Sequence, residues 1–312
     1  MAIAQVCYRL DGMPLAIELA AARTKVLPVE QISNRLEDSF ALLTGGGRTA
    51  LAHHGTLRAT MDWSHELLSG QERTLFRRLS VFAGGFTLEA AEAVGSGEGI
   101  EDVGVLDLLT SLVDESLVVE RDGETRYRLL ETVRQYASEK LEEAGEAEAV
   151  RERHATWCLA FAEEAERGLS GSDQAWWLTR LETELDNLRF ALQWSLEEHA
   201  IAGLGLRLAA SLWSFWLMRG YLSEGRNWLE SGISRGSPTT TPAKAKALNV
   251  NGSLALSQGN YGEAIVSLEQ SVDLYRELEN SEGIASSLAN LGFAAMLGER
   301  ADVPVQACSK RP

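Results

Sequence analysis

Phosphate binding is the first chemistry to test in this 312-residue sequence, because one glycine-rich string, Gly45-Gly46-Gly47-Arg48-Thr49, ends in a basic residue and a hydroxyl. A phosphate-binding loop requires G-x-x-x-x-G-K-[ST], in which glycine amides surround the phosphates and the lysine neutralises their charge. No stretch of the chain fits that pattern, and no helix is expected at the right distance after the string. We therefore interpret residues 45–49 as a linker.

The histidines and cysteines lack the spacing of a metal site or a catalytic nucleophile. Helical metal ligands lie at i and i+4, whereas His53 and His54 are adjacent and would point apart on a helix. The cysteines Cys7, Cys158 and Cys308 are far apart, and neither C-x-x-C nor G-x-S-x-G occurs. We expect no metal site, no disulfide framework and no enzyme activity.

Composition restricts the choice of partner and compartment. The formal net charge is −16 and the sequence pI is about 4.8, which opposes binding to the negatively charged DNA backbone. The sequence shows no signal peptide, and three scattered cysteines suit a reducing cytoplasm. The apolar stretch 200–218 is interrupted by Arg207, so it predicts one buried helix and no membrane span.

Helical periodicity dominates the elements that would position any site. Pro14 and Pro28 are each expected to open a helix near the start of the chain. From residue 55 to residue 145, several helices precede two β-prone runs separated by Asp122-Gly123, which is a strong hairpin signal. Helices followed by a hairpin predict a winged-helix domain.

Local signals set the predicted boundaries within that domain. Ser69 and Glu72 have the spacing of a capping box, which predicts a helix from there to Phe82. Further signals predict a helix after Thr87, a helix over 105–113, strands over 117–120 and 126–129, and a last helix capped by Thr132.

The helix before the hairpin would be the DNA-reading helix of a winged helix, so its charge matters. Residues 102–115 contain four acidic residues, Asp102, Asp107, Asp114 and Glu115, and no basic one. Base and phosphate contacts require Arg, Lys, Asn or Gln. We therefore expect no direct nucleic-acid binding through this helix, although arginines 121, 126 and 128 in the wing leave DNA binding as an alternative.

A weak internal repeat follows a tryptophan-rich helical connector at 146–200. Leu208, Leu248 and Leu288 are spaced by 40 residues, and so are Gly252 and Gly292. Each unit is expected to form a helix, a turn with glycine before tyrosine, and a second helix. This arrangement is typical of tetratricopeptide repeats, whose usual period is about 34 residues. In the last unit, the sequence after Leu297-Gly298 does not predict the second helix that the repeat would require.

Three parts of the sequence resemble bacterial signal-transduction ATPases of the STAND, or NB-ARC-like, class. Gly12-Met13-Pro14-Leu15-Ala16 with the alanine-rich residues after it resembles their late nucleotide-sensor motif. Residues 57–68 and 75–82 resemble their winged-helix domain, and residues 185–189 with the repeats are similar to their helical sensor array. Members are often described as LuxR-type or antibiotic-regulator-type transcriptional regulators.

The resemblance implies site residues and a cofactor for the intact family. Gly12 and Pro14 would be the adenine contacts, and the family's ligand would be ATP or ADP. A Met-His-Asp motif in the family senses the β-phosphate, but Leu130 stands at the histidine position here and Glu131 at the aspartate position. Since most binding energy comes from phosphates and metal, we expect no cofactor for this chain itself.

The sequence thus predicts a mainly α fold, in which a winged helix with a small β-hairpin precedes a tetratricopeptide-like α-solenoid. Its four parts would be a lid remnant (1–50), the winged helix (55–145), a connector (146–200) and an incomplete array (201–312). The expected role is the regulatory and protein-interaction portion of an NTPase-type transcriptional regulator. The array would bind a protein partner, and oligomerisation is possible. The alternatives are a stand-alone DNA-binding winged helix and a pure repeat scaffold.

Overall fold

The computed structural model describes residues 2–9, 68–120, 125–198, 202–235 and 241–301, together with positions 24, 28, 29, 31, 58, 61, 62, 65 and 66. The chain divides into two units, residues 1–154 and 155–312. Gly12, Pro14, the helices opened by Pro14 and Pro28, the linker 45–49 and the turn at Asp122-Gly123 lie outside the described residues, apart from positions 24, 28, 29 and 31.

The first unit has helices followed by a hairpin, as predicted. Its described helices are α1 (Ala2–Arg9), α2 (Gly70–Arg78), α3 (Leu88–Gly95), α4 (Val105–Asp114), α5 (Glu131–Glu143) and the start of α6 (Ala147–Gly168). Strands β1 (Val119–Glu120) and β2 (Tyr127–Arg128) pair antiparallel, with Val119 opposite Arg128.

The capping box predicted for α2 is confirmed, and α3 begins after Thr87 as predicted. Ser69 accepts a hydrogen bond from the Glu72 amide, and the Glu72 carboxylate accepts one from the Ser69 amide, which completes a capping box. The hydroxyl of Thr87 accepts from the Ala90 amide at the start of α3. The α2 segment ends earlier than predicted, because its last turn tightens into a 3₁₀ helix over Leu79–Val81.

The predicted cap of α5 is wrong. Leu130 occupies the N-cap position, and Thr132 is fully buried inside the first turn.

Phe86 adds a further backbone pairing to the hairpin, because it exchanges two 2.8 Å backbone hydrogen bonds with Tyr127. Gly85 makes this approach possible, since its φ is +87° and a Cβ there would lie 2.8 Å from the Tyr127 carbonyl oxygen.

The second unit is helical throughout its described residues. Its elements after α6 are α7 (Gln174–Thr183), α8 (Leu185–Gln193), a π-helical turn (Trp194–Glu198), α9 (Ala202–Ser211), α10 (Trp213–Arg219), α11 (Leu222–Arg235), α12 (Pro242–Ser257), α13 (Tyr261–Glu277) and α14 (Ser281–Ala301). Its larger core gathers apolar side chains from α6 to α12 and includes the fully buried Phe215 and Trp216.

The single helix predicted over 200–218 is wrong, because the chain turns at Leu212 and forms α9 and α10 instead. The turn buries Trp216, whose indole N–H donates to the Ala209 carbonyl at 3.3 Å. The described part of the chain contains no helix with both the length and the hydropathy to cross a bilayer.

The predicted helix–turn–helix repeat is present. Gly220 and Gly259 adopt left-handed conformations (φ +75° and +79°) before the helices that start at Leu222 and Tyr261. Thr241 caps α12, with Pro242 at its first position, as proline at the start of a helix allows. Helix α14 continues through Leu297-Gly298 to Ala301. The stretch in which the last unit was expected to lack its second helix lies mostly outside the described residues, so that expectation stays a prediction.

Candidate functional site

The structure describes two of the positions that the family resemblance assigns to nucleotide sensing, Leu130 and Glu131. Leu130 offers an apolar side chain where the family has histidine. The Glu131 carboxylate accepts two hydrogen bonds from the Arg134 guanidinium, at 2.7 and 2.9 Å. Gly12 and Pro14 lie outside the described residues, so their assignment as adenine contacts stays a prediction. Within the described residues, no three His, Cys, Asp or Glu side chains group together as metal ligands would.

The exposed face of α4 is acidic and apolar. Asp107, Thr110 and Asp114 are exposed, and Leu106 is 46% exposed, while Val105, Leu109 and Leu112 pack inward. This face contains no basic side chain, so it presents nothing that could neutralise a phosphate. In the hairpin, Arg128 is exposed and Arg126 is half-buried, which places two cationic groups beside β1.

The array contains a groove of about 700 Å³ in the second unit. Helices α12 and α14 supply most of its surface, α13 supplies Tyr275, and α6 and α10 supply Glu166 and Trp213. The residues contributed by α12 and α14 recur three or four positions apart and are mostly polar: Lys246, Asn249, Ser253 and Ser257 on α12, and Glu282, Ser286 and Asn290 on α14. The groove therefore follows one polar face of each helix.

Hydrogen bonds between side chains hold the floor of the groove in place. The Asn249 amide nitrogen donates to the Ser287 hydroxyl at 2.6 Å. The Asn290 amide nitrogen lies 3.1 Å from both the Asn249 carboxamide oxygen and the Ser253 hydroxyl. The side chains of Asn249, Ser253, Ser287 and Asn290, here named the amide ladder, hold one another in place through these hydrogen bonds. Such preorganisation reduces the entropic cost of binding a ligand.

Charged and aromatic groups border the amide ladder. The Lys246 ammonium forms a 2.6 Å ion pair with Glu166. Burial, together with the nearby Glu282 carboxylate, raises the pKa of the Tyr275 phenol. The groove thus offers amides, hydroxyls and two aromatic rings, which is chemistry suited to the polar backbone and side chains of an extended peptide.

Sequence reasoning predicted an interacting array but did not identify these groove residues. The available signal was the polar series 246, 249, 253 and 257 on α12, spaced three or four residues apart. Its counterpart on α14 could be recognised only after the two helices had been placed side by side.

Comparisons with known proteins agree with the winged-helix domain. Residues 68–142 match the family model described as a winged helix-turn-helix domain. A Mycobacterium tuberculosis protein named "Putative HTH-type transcriptional regulator Rv0890c" is 41% identical over 97% of this chain and 35% of its own length. The M. tuberculosis uncharacterized protein Rv0894 is 51% identical over 49% of this chain and 39% of its own length.

The chain thus spans about a third of the length of the regulator that it matches. The chain also aligns with a solved structure, the STAND protein with a tetratricopeptide repeat sensor PH0952 from Pyrococcus horikoshii. The alignment covers 92% of this chain and 57% of the PH0952 chain at 13% sequence identity. The TM-score of this alignment is 0.29. The chain contains a winged helix-turn-helix domain and is homologous to proteins described as HTH-type transcriptional regulators.

Proposed function

We propose that this chain is the regulatory and protein-interaction portion of a STAND-type transcriptional regulator and does not hydrolyse nucleotide itself. In this proposal the array binds a protein partner through its polar groove, in the cytoplasm. The chain needs no cofactor of its own, and ATP or ADP would belong to the complete regulator.

The observation that supports the proposal best is the acidic exposed face of α4. The matched segment 68–142 contains eight Lys and Arg against fifteen Asp and Glu, a formal excess of seven negative charges. The helix in the DNA-reading position would therefore be repelled by a phosphate backbone. A winged helix with this surface is better suited to separate domains or to contact a protein than to bind DNA. The preorganised groove supplies the surface that recognises a protein partner.

The experiment is fluorescence anisotropy of the full chain with a labelled duplex, measured at about 50 and 200 mM salt because phosphate contacts make affinity salt-dependent. We expect no saturable binding at micromolar protein. Calorimetric titration with ATP and ADP should likewise give no heat of binding. Micromolar nucleotide affinity, or duplex binding that weakens with salt, would contradict the proposal.

A stand-alone DNA-binding regulator is the second candidate, and Arg126 and Arg128 in the hairpin favour it. It predicts that binding to the same duplex weakens with salt and is reduced by the double variant Arg126→Ala/Arg128→Ala. The matched control is Arg276→Ala, since Arg276 is an exposed arginine on α13 in the other unit. Binding lost equally in both variants would indicate only a general charge effect.

A further inference from the structure

Helix α7 presents an arginine held among aromatic rings at the surface of the second unit. The guanidinium carbon of Arg180 lies 4.6 Å from the ring centre of Trp176. The ring centres of Trp177 and Phe161 lie 5.1 and 5.2 Å from the same carbon. All three distances are within the range of cation–π attraction. These four residues are here named the Arg180 patch, and none of them lines the groove described above.

Packing against α6 fixes the rings of the patch. Phe161 and Trp177 belong to the core of the unit, with ring centres 5.9 Å apart. A Cβ added to Gly168 would overlap the Trp177 indole, so this glycine lets α7 approach α6 closely. Trp176 contacts Trp177 edge to face, with 4.8 Å between the ring centres, yet Trp176 is itself 54% exposed. The patch is therefore a fixed frame that leaves one indole open to solvent.

Arg180 has no carboxylate within ion-pair distance among the described residues. Glu182, two positions further along α7, pairs with Arg219 at 2.9 Å instead. Stacking on aromatic rings leaves the planar N–H fork of a guanidinium available, and that fork matches the two oxygens of a carboxylate. Elsewhere in the described part of this unit, five arginines already have a carboxylate partner: Arg189, Arg207, Arg219, Arg226 and Arg276.

We propose that the Arg180 patch binds an acidic segment of a protein partner. A carboxylate of that segment accepts two hydrogen bonds from Arg180, and a large apolar side chain packs on the exposed indole of Trp176. Tryptophan and arginine are the residues that most often dominate the energy of such contacts.

The spacing within the patch specifies the sequence of that segment. Trp176 and Arg180 are one helical turn apart, which places their Cβ atoms about 5–6 Å from each other. In an extended segment, side chains two positions apart point to the same side and lie about 6.7 Å from each other. The matching sequence is therefore a large apolar residue two positions from Glu or Asp.

The charges near the patch favour one carboxylate over a nucleic acid, although tryptophan and arginine can also stack on bases. Asp173 is exposed just before α7, and Glu164 is exposed on α6 one turn after Phe161. A strand of phosphates laid across Trp176 would bring several negative charges close to these carboxylates. A single carboxylate requires only the one cation that Arg180 supplies.

Fluorescence anisotropy of the full chain with labelled peptides tests the proposal. The probes are short peptides in which Leu-x-Glu-x-Leu is fixed and the other positions are randomised among uncharged residues. Leucine on both sides covers either chain direction. Matched libraries carry Gln or Lys in place of the Glu. We expect the Glu library to bind with a dissociation constant of about 100 µM, and the Gln and Lys libraries at least about tenfold more weakly.

Four variants locate the binding. Trp176→Ala and Arg180→Lys should each weaken binding of the Glu library at least about tenfold, the first because it removes the apolar surface and the second because an ammonium lacks the planar fork. The matched control is Val266→Ala on α13, since Val266 is also 54% exposed, and it should leave the affinity unchanged. Ser286→Trp, which fills the groove, should also leave the affinity unchanged. Far-UV circular dichroism establishes that each variant is folded.

Several results overturn the proposal. One is equal affinity for the Glu and Gln libraries, and another is no binding tighter than about 1 mM. Binding that persists in Trp176→Ala, or that Ser286→Trp abolishes, shows that the peptide lies elsewhere. A labelled oligothymidine is the last probe. If it binds in a salt-sensitive way and Trp176→Ala abolishes that binding, the patch is a nucleic-acid platform and not a protein-binding one.

Discussion

Arg78 and Glu146 form a largely buried ion pair in the winged-helix unit, in which the Arg78 Nε donates to the Glu146 Oε2 at 3.0 Å. The Arg78 side chain is 2% exposed, and its other nitrogens donate to backbone carbonyls of residues 95–98. Arg77 also pairs with Glu146, at 2.6 Å. These contacts fasten α2 to the end of α3 and to the start of α6.

Glu146→Gln should destabilise the protein by about 3 kcal/mol, because it leaves the buried Arg78 guanidinium without its counter-charge. Urea unfolding measures the loss. Arg151, which is 21% exposed, pairs with the largely exposed Glu142, so Glu142→Gln is a matched control expected to cost under about 1 kcal/mol. Equal losses of unfolding free energy in Glu146→Gln and Glu142→Gln would show that burial of Arg78 does not make its ion pair more important for stability.

Glu146 should also give acid sensitivity. Burial alone would raise the pKa of its carboxyl, but hydrogen bonds from Arg77 and Arg78 outweigh burial and hold the pKa below its usual 4.5. A depressed folded-state pKa stabilises the protein above about pH 4.5, and that stability is lost as pH falls through the folded-state pKa. The wild-type chain should therefore lose stability below about pH 4.5 more steeply than Glu146→Gln.

His154 should produce a separate pH dependence at higher pH. It is fully buried with its ring 5.0 Å from that of Phe82, edge to face, and burial lowers its pKa from 6.5 to about 3. The folded protein therefore keeps the neutral imidazole. Its stabilising effect is complete above about pH 6.5 and declines by up to about 1.4 kcal/mol per pH unit as the pH falls toward 3.

Urea titrations between about pH 6.5 and 5 avoid the Glu146 effect, because Glu146 is largely ionised in both states over that range. Burial lowers the pKa of His65 as well, so the comparison of His154→Gln with the wild type isolates the His154 contribution. His154→Gln should flatten the curve there, whatever its effect on stability at pH 7. A curve of unchanged slope in His154→Gln would show that the imidazole is not kept neutral.

Two glycines at equivalent repeat positions should respond oppositely to alanine. Gly252→Ala forces a Cβ to within 2.6 Å of the Leu268 Cγ and should destabilise by about 1–3 kcal/mol. Gly292→Ala enters open space in a helix interior and should stabilise by about 0.5–1 kcal/mol. Thermal unfolding of the two variants compares them, and melting-temperature shifts of the same sign would contradict the repeat equivalence.

Features determined by neighbouring residues were predictable from the sequence. The capping box at Ser69, the start of a helix after Thr87 and the hairpin depend on contacts within a few residues, and the 40-residue spacing indicated the repeat. The turn at Leu212 was not predictable, because residues 208–218 contain no glycine or proline that would mark a break in the helix. The groove was missed because Asn249 and Asn290 are 41 positions apart and meet only through helix packing.

The most direct test of the central claim is peptide-library selection against the full chain, followed by calorimetry of the selected peptides. Ser286 is exposed and lines the groove, so Ser286→Trp should fill it without disturbing the core. The matched control is Ser234→Trp at an exposed position on α11. We predict that Ser286→Trp weakens peptide binding at least about 30-fold while Ser234→Trp does not. Peptides that bind both variants as tightly as the wild type would show that the groove is not the recognition surface.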